Sequence, residues 1–334
     1  MKKQFSGTGR IIAALLALVI AIAAMALTGC SKKADETAAD DYVLKVGALS
    51  GPTGMGMAKL INDTKEGGAK AGKYDIQIYS SPDEIRAALI SGSLDVAALP
   101  VNLAAVVNAK TDGKYKVAAV NTLGVLYVLE AGNTINSIAD LAGKKIYATG
   151  QASTPEYILN YILEKNGLDN VEVEYKTEHS ELATLLISGQ VTIGMLPEPM
   201  VTNALTKNAD LRIALNLTEE WKKVSDGEAV QGCISVSTDV ISNHKAVLDE
   251  FLADYEASVK FVNENIDEAS EMIAEAGIVA AAAVAKKAIP NCNIVYIDGD
   301  EMVSILTEFY GVLFAANPAS VGGTMPGDSL YYKK

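Results

Sequence analysis

The stretch EIRAALISGSLDVAALP, residues 84–100, contains two short phrases that return later in the chain. Leu89-Ile90-Ser91-Gly92 recurs as Leu186-Ile187-Ser188-Gly189, and Leu99-Pro100 recurs as Leu196-Pro197. Both recurrences lie at the same offset of 97 residues. Two separate matches at one spacing are hard to obtain by chance, so the sequence indicates an internal duplication.

The segments around these phrases repeat the same pattern of strands and helices. Residues 74–79 (YDIQIY) and 171–176 (VEVEYK) both alternate as half-buried strands do. With a three-residue slip, residues 45–50 (KVGALS) match 145–150 (KIYATG). Each copy therefore predicts strand, loop, helix, strand, helix, strand and a proline-marked turn. Such alternation is typical of α/β proteins, whose parallel sheets are covered by helices on both faces.

Local signals predict where the helices of each copy begin and end. Ser81 before Pro82 has the pattern of an N-cap, and Thr154 before Pro155 predicts the same start in the second copy. The helix from residue 83 to 90 is expected to end at Gly92. Its counterpart, residues 181–187, should end at the equivalent glycine.

The last hundred residues have no repeat partner. They begin with an apolar strand at residues 233–237 and continue as predicted helices near 244–264, 267–288 and 299–315. We expect this part to return into the first lobe, with chain crossings near 121–130 and 228–235. The predicted lobes are residues 42–125 with 233–334, and residues 126–232.

The N-terminus has the features of a secretory signal. A basic start precedes the apolar run of residues 11–26, and small residues stand directly before Cys30. The sequence predicts a lipoprotein signal peptide at residues 1–29, although an uncleaved N-terminal membrane anchor is the alternative. The similarity to a lipobox implies that Cys30 carries a diacylglycerol, which would hold the protein on the extracytoplasmic face of the cell membrane.

Composition narrows the class of partner. Residues 30–41 are small and charged, which predicts a flexible tether. The net charge is −13, and loss of the signal would remove three cationic residues and leave about −16. Such acidity argues against nucleic acid as a partner. Cys233 and Cys292 could pair outside the cell, but free buried thiols are the favoured interpretation.

Three phrases carry a resemblance to a known family. They are residues 84–100, SIADLAGKKIYA at 137–148 and GMLPEPMV at 194–201. The chain resembles the nitrate, sulfonate, taurine and thiamine-precursor group of ABC-transporter solute receptors. The resemblance implies a type II periplasmic-binding fold, in which two α/β lobes joined by a two-strand hinge close on one solute. It also implies delivery to a membrane permease driven by an ATPase, and we expect a monomer.

In open parallel sheets, ligands bind beyond the carboxyl ends of the strands. Glycines in the loops at these ends allow close approach, and hydroxyls beside helix starts can bind anions or carbonyl oxygens without a basic side chain. Only Arg86 and Arg212 remain in the mature chain, and neither lies in a predicted cleft loop. The predicted ligand-binding residues are Ser50, Pro52, Thr53, Gly54, Met55, Asn102, Asn121, Gln151, Ser153, Thr154, Glu198 and Gln231.

Several of these residues have an alternative structural interpretation. Glu198, held between Pro197 and Pro199, could meet an amine or N–H group of the solute, or it could cap and brace its lobe. Met55 could contribute a thioether wall, although methionine more often fills a core. Asn121 and Gln231 could line the hinge or be ordinary polar residues at strand ends.

The sequence holds no persuasive catalytic or metal-binding pattern. His179 and His244 have no ligand-like partner one turn away, and residues 51–56 lack the spacing of a nucleotide loop. We therefore expect neither a cofactor nor a metal. The scarcity of basic and aromatic residues favours a small organic solute, such as a sulfonate, a carboxylate or a pyrimidine-like vitamin precursor. A cofactor-pathway enzyme on the same fold and a sensory, ligand-presenting lipoprotein are the alternatives to a transport receptor.

Overall fold

The computed structural model describes residues 41–334, and the statements below concern these residues. The predicted signal peptide, Cys30 and all but the last residue of the predicted tether lie outside them. Within residues 41–334 no helix combines the length and the apolar character needed to cross a membrane.

The strands of the described chain form two separate sheets. They are β1 (Leu44–Leu49), β2 (Tyr74–Tyr79), β3 (Val96–Pro100), β4 (Tyr115–Leu123), β5 (Leu126–Ala131), β6 (Lys145–Thr149), β7 (Glu172–Lys176), β8 (Ile193–Pro197), β9 (Leu211–Asn216), β10 (Val230–Ser237) and β11 (Ile294–Ile297). The first sheet has the order β11-β4-β10-β3-β1-β2, and the second has the order β7-β6-β8-β5-β9.

The helices between the strands vary from one turn to five or more. They are α1 (Pro52–Met55), α2 (Ala58–Thr64), α3 (Pro82–Ser91), α4 (Val101–Lys110), α5 (Thr154–Lys165), α6 (His179–Ile187), α7 (Met200–Lys207), α8 (Leu217–Lys222), α9 (Thr238–Asn243), α10 (Lys245–Glu264), α11 (Ile266–Glu275), α12 (Ala282–Ala288) and α13 (Gly299–Ala316). Short 3₁₀ turns occur at Ile138–Leu141, Ile289–Asn291, Pro318–Val321 and Asp328–Leu330.

The duplication inferred from the sequence is visible in the strand pairing. In the first sheet β1 pairs in parallel with β2 and β3, and in the second β6 pairs in parallel with β7 and β8. In each sheet one antiparallel strand lies next to this set of three. It is β10, which pairs with β3, in the first sheet and β5, which pairs with β8, in the second. The chain passes from the first sheet to the second between β4 and β5, and it returns through β10. The α/β, two-lobed fold class is therefore confirmed.

The glycines of the repeated phrase end equivalent helices. Gly92 follows α3 with a φ of 75°, and its N–H group donates to the Leu89 carbonyl at 3.0 Å. Gly189 stands one residue beyond Ser188 after α6 with a φ of 72°. Positive φ values cost little without a Cβ, so these positions stop both helices at the same point. At the other end of α3, the Ser81 hydroxyl accepts from the Asp83 N–H group, as expected of an N-cap.

Two predicted boundaries in the last part of the chain are wrong. The single helix expected at residues 267–288 is two helices, α11 and α12, because the chain turns at Gly277 with a φ of 73°. The short strand β11 was not foreseen between the expected helices. It joins the edge of the first sheet by pairing with β4, and such edge pairing leaves little trace in so short a segment.

Trp221, the only tryptophan of the chain, lies where both halves of the molecule meet. Its ring packs against Tyr161 of α5 at 4.7 Å between centroids and against Phe309 of α13 at 5.6 Å. The side chain is buried, and its Nε1 donates to the Gly227 carbonyl at 2.8 Å. Because α13 belongs to the unduplicated part of the chain, Trp221 is a natural fluorescent reporter of how the two halves sit together.

Candidate functional site

A cavity of about 760 Å³ lies between the two sheets, at the carboxyl ends of their parallel strands. Loops that follow β1, β3, β6 and β8 contribute to its wall, as expected for an open α/β sheet. The predicted ligand-binding residues that line it are Ser50, Pro52, Thr53, Asn102, Ser153, Thr154, Glu198 and Gln231. The structure thus brings together residues that are up to 181 positions apart in the chain.

The loop after β1 forms the corner of the cavity in the first half, and backbone and side-chain hydrogen bonds hold it in place. The Ser50 N–H group donates to the Tyr79 carbonyl at 2.9 Å, which ties the loop after β1 to the end of β2. The Thr53 carbonyl accepts from the Asn121 amide at 3.1 Å. Asn121 is almost fully buried, so it supports Thr53 from behind and does not itself reach the cavity.

The loop after β6 forms the corresponding corner in the second half. It leads into α5, whose N-cap residue differs from the predicted one. The N-cap residue is Ser153, whose hydroxyl donates to the Gly150 carbonyl at 2.6 Å and makes no capping bond. Thr154 is the first helical residue, and its hydroxyl donates to the Asn102 side-chain oxygen at 3.2 Å. The predicted cap at Thr154 is wrong because this hydroxyl is turned across the cleft, where it joins the two halves.

Glu198 is buried, with 1% of its surface exposed, and its carboxylate is already engaged. It accepts from the Thr202 N–H group at 3.0 Å and from the Thr202 hydroxyl at 2.9 Å, in the first turn of α7. It also accepts from the Asn291 amide at 3.4 Å. Burial raises the pKa of Glu198, although the hydrogen bonds oppose the shift. Of the two roles left open by the sequence, these contacts favour the brace.

Gln231 faces the cavity from the hinge strand β10. Its Nε2 is buried and has no hydrogen-bond partner within the described residues. A buried donor without a partner costs about 1–3 kcal/mol, and an acceptor on a bound solute would recover this free energy. Gln231 is therefore ready to donate to a solute held near the hinge.

The cavity also holds charge that the sequence analysis did not place there. Arg86 lines it, contrary to the expectation that neither remaining arginine reaches the cleft, and its Nη2 lies 2.9 Å from Asp83. Lys207 of α7 lines the opposite side and forms no ion pair among the described residues. Helical spacing was the available signal, because Met200, Asn203 and Lys207 recur at intervals of three and four residues and share one face.

His179 lies at the start of α6, on the rim of the cavity. Its Nδ1 is 2.7 Å from the Thr149 hydroxyl. Although one side of the residue is exposed, the protein packed around the ring lowers the pKa of His179, which favours the neutral imidazole. As a neutral group it can donate or accept a hydrogen bond, and it adds no fixed charge to the cavity.

An apolar segment that the sequence analysis did not connect with the site completes the wall. It consists of residues 278–281 between α11 and α12, together with Val284 of α12. Gly51 of the first corner donates its N–H group to the Ile278 carbonyl at 3.2 Å, which fixes the segment beside the polar loops. No local pattern could reveal this neighbour, since more than 220 residues separate the two partners.

Four predicted site residues do not line the cavity. Asn121 supports Thr53 as described, and Gln151 is exposed beyond the rim. Met55 is fully buried in the apolar core on one face of the first sheet. A Cβ on Gly54 would lie 2.3 Å from the Leu49 carbonyl oxygen, so this glycine serves the close packing of the loop. Gly54 and Met55 lie on the buried side of α1, which residue type alone does not reveal.

The remaining chemically distinctive residues lie away from the cavity. Cys233 and Cys292 are both free and buried. Arg212 pairs with Glu130 on neighbouring strands of the second sheet, at 2.6 Å. Among residues 41–334 no three histidine, cysteine, aspartate or glutamate side chains cluster as metal ligands would.

Two similar sheets, a cavity between them and polar loops from both halves define a two-lobed solute-binding protein. The sequence profile of the family described as "ABC transporter, phosphonate, periplasmic substrate-binding protein" matches residues 67–288. The chain belongs to this family of periplasmic substrate-binding components of ABC importers. A comparison with curated proteins gives no match.

Solved structures are similar over most of the chain. An ABC transporter from Parabacteroides distasonis is 26% identical, with a TM-score of 0.73 over 87% of this chain and 99% of that one. The periplasmic aliphatic sulphonate binding protein SsuA from Escherichia coli is 16% identical, with a TM-score of 0.69 over 87% and 92%. The periplasmic nitrate-binding protein NrtA from Synechocystis PCC 6803 is 15% identical, with a TM-score of 0.55 over 83% and 84%.

Proposed function

We propose that this receptor captures a small organic acid, with a sulfonate or carboxylate group, in the cavity between its sheets. One observation carries the proposal: Arg86 from the first half and Lys207 from the second line the same cavity. Arg86 is paired with Asp83, which also lines the cavity, whereas Lys207 forms no ion pair among the described residues. Lys207 and the unpaired Gln231 amide are therefore the donors most available to an anion, with Arg86 on the opposite side. The names of the similar proteins that bind a sulphonate or nitrate agree with an anionic solute.

Binding is coupled to closure of two lobes, residues 42–125 with 233–334 and residues 126–232. The bond from Thr154 to Asn102 supports this proposal, because it joins the two lobes beside the cavity. A solute that contacts both lobes stabilises the closed state more than the open one, and that difference drives closure. The closed form then presents both lobes to the permease, and no chemical change of the solute is involved.

The receptor is proposed to act as a monomer anchored through a lipid on Cys30, on the extracytoplasmic face of the membrane. The signal-like N-terminus and the small residues before Cys30 support the anchor. The segment that follows would give the lobes reach from the membrane to the permease. Metabolic labelling with a palmitate analogue should mark the chain, and Cys30→Ala should abolish the label.

The solute proposal is tested by titrating sulfonates and carboxylates into the purified chain, with calorimetry and Trp221 fluorescence as readouts. Arg86→Met and Lys207→Met should each weaken binding of an acid by about tenfold, the equivalent of one charge-assisted hydrogen bond. Lys110→Met is the matched control, since Lys110 is exposed and does not line the cavity. Mass spectrometry after incubation should recover the solute unchanged.

If both cavity variants bound every acid as tightly as the wild type, the proposal that Arg86 and Lys207 hold an anionic solute would be wrong. Recovery of a chemically altered solute would favour the enzyme alternative.

A further inference from the structure

We propose that Glu198 takes up a proton when the two lobes close on an acidic solute, so that the receptor binds its solute more tightly as the pH falls. This inference rests on the proposed function, because it assumes that an acid binds in the same cavity and that the lobes close around it. It gives Glu198 a part in solute binding in addition to its part as a brace.

Glu198 lies at the boundary between the two lobes. It follows β8, and its N–H group donates to the carbonyl of Val125, at the chain crossing, at 3.0 Å. Its carboxylate accepts from Asn291 of the first lobe at 3.4 Å, and the residue lines the cavity although only 1% of its surface is exposed. Separation of the lobes would withdraw Asn291 and admit water to the carboxylate. Closure is therefore the step that buries this group.

The three hydrogen-bond donors to the buried carboxylate are neutral. They are the N–H group and the hydroxyl of Thr202 and the side-chain amide of Asn291. A carboxylate that is buried without a cationic partner holds its proton more tightly than a hydrated one, because burial disfavours the charged form.

The ionisable groups around Glu198 leave its charge without a counterion. On the elements packed around it and across the cavity they are Lys207 on α7, His179 and Glu181 on α6, Tyr127 and Glu130 on β5, Arg212 on β9, Cys292 after the 3₁₀ turn, Lys286 and Lys287 on α12, and Asp83 and Arg86 on α3. Within residues 41–334 none of these cations forms an ion pair with Glu198. Three of them are paired elsewhere, Arg212 with Glu130, Arg86 with Asp83 and Lys286 with Asp267.

The pKa shifts of these groups agree with proton uptake at Glu198. Burial raises the pKa of Glu198, although its hydrogen bonds oppose the shift. Burial, and after it the charge of Glu198, raises the pKa of both Tyr127 and Cys292, so these two groups stay protonated while Glu198 titrates. His179 is the remaining competitor, because its lowered pKa still leaves it able to bind a proton in mildly acidic solution.

An acidic solute acts in the same direction as closure. Its negative charge and that of Glu198 would repel each other inside one cavity, and protonation of Glu198 removes this repulsion. Affinity is then highest below the pKa that Glu198 has in the open state, and it falls as the pH rises through the higher pKa of the closed, solute-bound state. The total fall is about tenfold for each unit that separates the two pKa values.

The test is calorimetric titration of the purified chain with butanesulfonate, or with whichever sulfonate binds more tightly, from about pH 4 to 8. A sulfonate stays ionised over this range, so a change of affinity with pH belongs to the protein. Each titration is repeated in two buffers that differ in their enthalpy of ionisation. We expect the binding enthalpy to differ between the buffers in the sense of proton uptake, and the affinity to fall as the pH rises.

Glu198→Gln keeps the size of the side chain and cannot titrate, so its affinity should be independent of this ionisation and its proton uptake should be lost. His179→Gln should retain the uptake. Glu220→Gln is the matched control, because Glu220 is also buried, at 6% exposure, but pairs with Lys223 at 2.7 Å and does not line the cavity. It should behave as the wild type does.

Difference infrared spectroscopy of the wild type gives a second measurement if Glu198→Gln impairs folding. Addition of the sulfonate should produce a carboxylic acid band and remove a carboxylate band.

Binding without proton uptake at every pH, or with proton release, would overturn this inference and leave the acid-binding function intact. Uptake that is lost in His179→Gln and kept in Glu198→Gln would assign the proton to the histidine and also overturn it. Failure of every sulfonate and carboxylate to bind would overturn the proposed function, and this inference with it.

Discussion

The two duplicated halves place different residues at one equivalent buried position. Val101 follows Pro100 in the first half, and Glu198 follows Pro197 in the second. Both side chains are at most 1% exposed. Val101 packs in the apolar core, whereas Glu198 accepts hydrogen bonds from Thr202 of its own lobe and Asn291 of the other. The fold requires burial at both positions, but of these two side chains only the Glu198 carboxylate forms a hydrogen bond to the other lobe.

The largest expected effect comes from making the two halves alike. Glu198→Val would leave the N–H group and hydroxyl of Thr202 and the Asn291 amide without their acceptor, at a net cost of about 2–3 kcal/mol. Thermal unfolding should show a fall in Tm of roughly 5 °C. Glu198→Gln keeps one acceptor oxygen and is the control, with a smaller loss. A fully stable Glu198→Val would mean that the carboxylate is dispensable to the fold.

The two halves also contribute different groups to the hydrogen bond across the cleft. The first half supplies the acceptor, Asn102, and the second supplies the donor, Thr154. We expect Asn102→Leu and Thr154→Val each to weaken solute binding by about fivefold, since one hydrogen bond contributes about 1 kcal/mol. In a double-mutant cycle the double variant should be no weaker than either single one. Calorimetry measures the affinities, and Trp221 fluorescence reports closure. Fully additive losses would contradict a direct bond between the two side chains.

The smallest expected effect is a dependence of stability on pH. It arises from Glu198 in the second half, since the equivalent Val101 in the first half carries no ionisable group. Burial raises the pKa of Glu198 above its ordinary value of 4.5, so the folded protein holds this proton more tightly than the unfolded chain does. Its contribution to stability is complete below the unfolded pKa and is lost as the pH rises through the folded pKa. Relative to Glu198→Gln, the wild type should therefore lose stability as the pH rises above 4.5, by about 1.4 kcal/mol per unit of pKa difference.

Urea unfolding followed by Trp221 fluorescence at several pH values measures this trend. Glu271→Gln, at an exposed acid of α11, is the control. A trend of the opposite sign would mean that hydrogen bonding to the carboxylate outweighs its burial.

Much of the fold could be predicted because the duplication repeats along the chain. The phrases ending in Gly92 and Gly189 predicted equivalent helix ends, and the flanking alternation predicted equivalent strands. The polar loops at Ser50 and Ser153 were found for the same reason, since the ends of parallel strands meet at one edge of a sheet. Arg86 and Lys207 were not placed in the site, because their approach depends on how each helix is rotated about its axis.

By itself the sequence determined the two-fold repetition, the α/β alternation and the loops where a solute could bind, because these depend on neighbours along the chain. Tertiary structure alone decided that Ile278 would stand beside Gly51 and that Thr154 would turn from its predicted cap toward Asn102. It also decided that the Glu198 carboxylate would brace the lobes. Such contacts join residues far apart in sequence, and they form only when helices and sheets pack into a shared core.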